Sequence, residues 1–212
     1  MESELGNVGA VRATFAHELR TLKHKGSNLL LVGSGSGAHE AVCPRLCGQS
    51  AHESRYRLFV TDDAARCTDH RGDGQVRTIE YTDPASGTGG SDGDRTPLGY
   101  LGTEIIDTID EFEEDVGGFE PSELRVCVDS LVPLLQEYDT EDVFRLVHVV
   151  TARVEQARGM GHYHLPVSRD HDAVVLLEPM FDAVVELRTR GNTHEQQWHL
   201  RDQDTETDWI RL

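Results

Sequence analysis

Apolar side chains near the start of the chain recur every three or four residues. Val11, Phe15, Leu19 and Leu22 follow this spacing, which is typical of one face of an amphipathic helix and predicts a helix from about residue 10 to 25. The same periodicity predicts further helices at 97–116, at 140–157 and in a short segment that Asp170 caps and Pro179 closes.

Short apolar runs alternate with these helices and predict β-strands. They lie at 28–33, 57–61, 76–81, 126–128, 160–167, 183–188 and 196–201. The last two are separated by Gly191-Asn192, which is typical of a hairpin turn. The pattern predicts an α/β fold: a doubly wound, mostly parallel sheet with helices on both faces and a C-terminal antiparallel hairpin.

The length of the chain suits one domain over residues 1–212. Within it, residues 83–95 are rich in glycine, serine and aspartate and contain little that could be buried, so we expect a flexible linker there.

A strand followed at once by a carboxylate and a hydroxyl is the most informative stretch. Val126-Cys127-Val128 is a buried-strand pattern, and Asp129 and Ser130 follow it before an apolar run broken by Pro133. Ligands of parallel sheets bind outside the carboxyl ends of the strands, which is where these two residues are expected. The alternative is that Asp129 only caps the next turn.

A glycine-rich turn follows the first predicted strand. Gly33, Gly35 and Gly37 lie between that strand and a predicted helix, and this is the setting of loops whose backbone N–H groups cradle phosphate. Their presence makes this turn the candidate nucleotide-binding loop.

The side chains that complete such a loop are different here. Counting from Gly33, the phosphate-loop pattern requires a second glycine, a lysine and a hydroxyl residue, and Ala38, His39 and Glu40 take those places. The lysine would neutralise phosphate charge and the hydroxyl would hold Mg²⁺. We therefore expect a strand–turn–helix that keeps its shape without its catalytic chemistry.

Together these segments resemble the RecA/KaiC-like P-loop ATPase superfamily, and more narrowly the small haloarchaeal KaiC/GvpD-related proteins. The matching stretches are 29–33, 126–135, 162–167 and 181–200. The resemblance implies a RecA-like core and, in active relatives, ATP, Mg²⁺ and ring or filament assembly. It would make Asp129 the carboxylate on the magnesium side, and Glu80 is only positionally comparable to the water-activating glutamate.

The chain carries a large surplus of acidic residues. The formal net charge is -18, and Lys23 and Lys25 are the only lysines. Molar salt would screen the self-repulsion of such a chain, so we expect a halophilic source. A disordered acidic chain is the alternative, but the periodic apolar segments argue against it. No basic stripe indicates nucleic acid.

Cysteine and histidine offer a competing chemistry. His39, Cys43 and Cys47 recur every four residues and would share a helix face, with His52 nearby, so a zinc site or a redox-responsive function is an alternative. Pro44 within the predicted helix argues against it, and we expect no metal. His162 and His164 should project to one face of their strand, one as a core residue.

From these observations we expect a non-catalytic RecA/KaiC-like domain that acts as a regulatory or signalling binding protein. The alternative is a nucleotide-binding or ATP-hydrolysing switch with an unconventional phosphate loop, and only then are ATP and Mg²⁺ expected as cofactors. We expect a protein partner, which includes a second copy of the chain, and neither nucleic acid nor membrane. The acidic N-terminus and the absence of a long apolar run predict a cytoplasmic protein.

Overall fold

The computed structural model describes residues 15–48, 54–62, 75–81, 97–201 and 205–212. The helices are α1 (15–25), α2 (Ser36–Leu46), α3 (Pro97–Val116), α4 (Leu131–Glu137), α5 (Thr140–Gln156) and α6 (Asp172–Leu177), with a 3-10 turn at Glu178–Met180. The strands are β1 (Ser27–Val32), β2 (Tyr56–Thr61), β3 (Val76–Glu80), β4 (Leu124–Asp129), β5 (Met160–Leu165), β6 (Ala183–Arg190), β7 (Thr193–Leu200), β8 (Thr205–Glu206) and β9 (Ile210–Arg211).

These strands form one sheet in the order β3-β2-β4-β5-β1-β6-β7-β8, with β9 paired to β7. The strands from β1 to β6 pair in parallel, and β7 turns back antiparallel to β6. The predicted doubly wound sheet with a C-terminal hairpin is therefore confirmed.

The two faces of the sheet carry separate cores because side chains alternate along each strand. On β1, Leu30 and Val32 pack in the core that contains α3 and α5, whereas Leu29 and Leu31 pack in the core that contains α2. Helices on both faces explain why β1 is apolar at consecutive positions.

One helix was not predicted, and another begins at a different residue. Helix α4 forms in the apolar run that contains Pro133, which lies in the first turn, where the missing N–H would have no intrahelical partner anyway. Helix α6 has His171 as its N-cap, and Ala173 N–H donates to its Nδ1 atom at 3.2 Å, so the predicted Asp170 cap is wrong.

Other predicted segments lie outside the described residues, and two short strands were not predicted. The part of the first helix before residue 15 and the linker at 83–95 lie outside the described residues. The two-residue strands β8 and β9 were too short for periodicity to predict. Within the described ranges no helix combines the length and the apolar character needed to cross a bilayer.

Candidate functional site

The glycine turn after β1 is short and pressed against a neighbouring strand. Only Gly33, Ser34 and Gly35 separate β1 from the first residue of α2. Gly33 has φ +112°, and a Cβ atom there would lie 2.0 Å from the carbonyl oxygen of Leu187 on β6. Its N–H donates to the Val167 carbonyl at 2.7 Å. Glycine is required here by both backbone conformation and space.

The other two glycines face the β6–β7 hairpin. A Cβ atom on Gly35 would lie 3.3 Å from Thr189 Oγ1, and one on Gly37 would lie 3.1 Å from His194 Cε1. The Thr189 hydroxyl and His194 Nδ1 are themselves 3.0 Å apart. All three glycines therefore allow the turn to pack closely on the hairpin.

His39 closes back on the same turn. Its Nε2 atom lies 2.8 Å from the carbonyl oxygen of Gly33, and its Nδ1 atom lies 3.0 Å from His164 Nδ1. Burial, followed by the influence of His164, lowers the pKa of His39 to about 4, and the charge of Asp129 does not offset this. The imidazole is therefore neutral at pH 7.

The tautomers of this pair follow from their partners. A carbonyl oxygen only accepts, so His39 Nε2 carries the proton and donates to Gly33. His39 Nδ1 is then an acceptor, and His164 Nδ1–H donates to it. The Nε2 atom of His164 is buried, and within the described ranges it has no hydrogen-bond partner.

Asp129 is the last residue of β4 and Ser130 follows it, so both lie at the carboxyl edge of the sheet. Ser130 Oγ accepts the N–H of Val132 at 3.1 Å and caps α4. The Tyr81 hydroxyl, just beyond β3, donates to the Ser130 carbonyl at 2.7 Å. Ser130 thus has a structural role, while Asp129 is partly exposed at the edge.

Glu80 lies farther from the glycine turn than Asp129 does, because β3 is farther from β1 than β4 is in the sheet order. It is exposed on the edge strand β3, in register with Thr61 of β2, which in turn pairs with Asp129. Two strand spacings correspond to about 10 Å between the backbones of Glu80 and Asp129. Its comparison with a water-activating glutamate stays a prediction.

A second group of polar side chains lies between α2 and the sheet. We call it the cysteine–histidine cluster, and its members are Cys43, Cys47, Cys127 and His162. All four are buried. The sulfur of Cys43 lies 3.9 Å from that of Cys47, 3.6 Å from that of Cys127 and 3.4 Å from His162 Nε2.

Several elements bring these residues together. Cys43 lies on α2 and Cys47 is the C-cap of that helix, one turn later, while Cys127 of β4 and His162 of β5 are direct cross-strand partners. Ligand atoms of Cys43, Cys127, His162 and the adjacent His164 all lie within 4.8 Å of one another. This group of donors could hold a metal ion.

Hydrogen bonds and burial together set the protonation of the cluster. Hydrogen bonds from the thiols of Cys127 and Cys47 hold the pKa of Cys43 well below its usual value. Burial raises the pKa of Cys127 well above the usual value for a thiol and lowers that of His162. The cluster therefore contains a neutral imidazole and one sulfur that favours the thiolate.

Comparison with known proteins places the chain in a family. Residues 26–187, which include the glycine turn and the cysteine–histidine cluster, match a family of unknown function, DUF7504. The chain belongs to this family. No curated protein matches it.

A solved structure supports the fold of this DUF7504 member. The KaiC-like protein PH0186 of Pyrococcus horikoshii OT3 is similar with a TM-score of 0.50 and 12% sequence identity, over 84% of this chain and 80% of that one. At this identity the likeness concerns the fold alone, which is RecA/KaiC-like.

The candidate residues of this DUF7504 domain fall into two groups. The first group is the turn from Gly33 to Gly37 together with His39, which contacts it. Asp129 is close enough for its charge to act on His39. Glu40 is exposed on α2. Cys43 and Cys47 do lie on the same side of the C-terminal turn of α2, and the helix continues past Pro44. His39 does not join them, because its ring contacts Gly33 and His164.

The contribution of Cys127 to the second group was not predicted from the sequence. Its signal was present, because Cys127 and His162 each sit within a predicted strand. Bringing them opposite each other requires the strand order, which no local pattern contains.

Proposed function

We propose that this chain is a non-catalytic RecA/KaiC-like domain that acts as a regulatory or signalling binding protein in a halophilic archaeon. The observation that carries the proposal is the position of His39, which is buried and hydrogen-bonded to the Gly33 carbonyl. A phosphate loop needs an outward-reaching cation at this place. A neutral imidazole folded onto the loop supplies none.

The length of the turn supports the same conclusion. In the phosphate-loop pattern four residues separate the first glycine from the second, and the helix follows. Here α2 already begins at Ser36, so only Ser34 and Gly35 lie between Gly33 and the helix. A turn this short offers less backbone to wrap around a triphosphate.

Charge at the turn also disfavours nucleotide. Glu40 is exposed one residue beyond His39, and Asp129 lies near the same imidazole. In an active site a lysine and Mg²⁺ would balance such carboxylates. Loss of transition-state stabilisation of this kind costs several kcal/mol, or about a thousandfold or more in rate.

A binding role is supported by the surface around α6. Val175 and Leu176 are 63% and 42% exposed, although both are apolar. Leu176 borders a cavity of about 380 Å³ that is also lined by Val132, Leu135 and Val167. Clustered apolar surface of this kind is typical of sites where protein partners bind. The halophilic assignment is supported by the net charge of -18.

The test is ATP turnover and ATP titration in molar KCl with Mg²⁺, on the wild type and on Asp129→Ala. Asp107→Ala is a matched control, because Asp107 is an exposed carboxylate on α3. We expect no turnover above background in any of the three proteins and no saturable, Mg²⁺-dependent binding.

Turnover that Asp129→Ala abolishes and Asp107→Ala preserves would contradict the proposal. It would show that Asp129 serves a live site and would favour the nucleotide-dependent switch instead.

A further inference from the structure

We propose that the cysteine–histidine cluster is a closed structural zinc site, with three thiolates and the His162 Nε2 atom as ligands. Nothing in this proposal depends on the absence of nucleotide hydrolysis. It replaces the sequence-based expectation that the chain binds no metal.

Four separations between the donor atoms match the edges of a zinc tetrahedron. With Zn–S near 2.3 Å and Zn–N near 2.0–2.1 Å, tetrahedral ligands stand about 3.8 Å apart for two sulfurs and about 3.6 Å apart for sulfur and nitrogen. The two sulfur–sulfur distances from Cys43 are 3.9 and 3.6 Å. His162 Nε2 lies 3.4 Å from Cys43 Sγ and 3.9 Å from Cys47 Sγ.

The chemistry of the donors also fits zinc. Thiolate and neutral imidazole are its preferred ligands, and three cysteines with one histidine are a common structural set. Buried cysteines otherwise serve as small apolar residues. That role does not explain why a buried imidazole nitrogen approaches two of the sulfurs.

A second observation concerns charge around the cluster. Arg57 and Arg125 are both buried beside the last turn of α2. Arg57 Nε donates to the Cys47 carbonyl at 2.9 Å, and Arg125 Nη1 donates to the Leu46 carbonyl at 3.2 Å. Zinc with three thiolates carries a net negative charge, which these guanidinium groups would balance.

His164 is the competing fourth ligand. Its unpartnered Nε2 atom is buried, and one of its ring nitrogens lies within 4.8 Å of the Cys43, Cys127 and His162 donors. Cys47 is preferred because its sulfur stands at tetrahedral separations from both Cys43 and His162. His164 is then not a ligand. It lies beside the His162 ring, and its hydrogen bond to His39 connects it to the glycine turn.

Such a site would cross-link the helix that follows the glycine turn to the central sheet. One ligand comes from α2, one from its C-cap, one from β4 and one from β5, so zinc would fasten the helix to two central strands. The Cys47 and Cys127 thiols would release their protons as zinc binds, because only the thiolate is a ligand. A buried site of this kind is filled as the chain folds.

The experiment is zinc analysis of the untagged protein, purified without chelators from cells supplied with zinc. We expect about one zinc per chain by mass spectrometry of the metal. Cys43→Ser should lose it, and Cys67→Ser is the matched control that should keep it. Removal of zinc with a chelator under mild denaturation should lower the Tm by more than about 10 °C.

Cobalt replacement keeps the proposal testable if Cys43→Ser does not fold. Cobalt(II) in the wild type should give the absorption of a tetrahedral site with three thiolates. Cys47→Ser should reduce the thiolate-to-cobalt band, while His164→Gln should leave it unchanged.

Three results would overturn the inference. They are folded wild type that contains no zinc and takes up no cobalt, a cobalt spectrum with only two thiolates, and loss of zinc from Cys67→Ser. A Cys43–Cys47 disulfide in metal-free protein from reducing cells would count equally against it.

Discussion

Replacing Gly33 with alanine should destabilise the fold far more than its place in a surface turn would indicate. Two costs combine. The left-handed backbone, at φ +112°, costs an alanine about 1–3 kcal/mol. The new Cβ would also lie 2.0 Å from the Leu187 carbonyl oxygen, and relieving such overpacking costs about 1–3 kcal/mol more. We expect a loss of about 3–5 kcal/mol in the free energy of unfolding.

Gly118 provides a control that separates the two costs. It has the same φ of +112°, but a Cβ atom there would meet nothing within 4 Å among the described residues. Gly118→Ala should therefore show the conformational cost alone. The difference between the two variants measures the contact of the glycine turn with β6.

Urea unfolding in molar KCl, followed by circular dichroism, would give both values. Equal destabilisation by Gly33→Ala and Gly118→Ala would contradict this prediction. It would show that the glycine turn can accommodate a Cβ atom at residue 33 without a clash with Leu187.

Two further predictions concern charge and capping. Lowering KCl from 1 M to 0.01 M lengthens the Debye screening distance from about 3 to about 30 Å. Because the net charge is -18, the Tm should then fall as self-repulsion increases. A Tm that stays constant would contradict the halophilic interpretation. Ser130→Ala removes the hydroxyl that caps α4 and should lower the free energy of unfolding by about 1 kcal/mol, whereas Ser130→Asp should retain most of it; equal stability of Ser130→Ala and wild type would show that the cap contributes nothing.

Much of the fold could be predicted because its signals are local. The apolar run of β1, the periodic face of α3 and the Gly191-Asn192 turn each depend on neighbouring residues. Helix α4 was not predicted, because the general preference of one residue was outweighed by its position. Pro133 disfavours a helix interior but is tolerated in the first turn of α4.

The candidate site was only partly predictable. The departure of His39 and Glu40 from the phosphate-loop pattern was evident from the sequence. The closure of His39 onto Gly33 and His164 was not, because the contact with β5 spans 125 positions. Cys127 reaches Cys43 across 84 positions, and no spacing rule relates them.

The state of His39 in solution tests the central claim most directly, since that side chain is proposed to close the turn against nucleotide. Histidine-selective ¹⁵N NMR would be recorded in molar KCl before and after addition of ATP and Mg²⁺. We expect a neutral His39 with its proton on Nε2, and signals that ATP leaves unchanged. A saturable shift of the His39 signals with ATP and Mg²⁺ would show that the turn opens for nucleotide and would contradict the account.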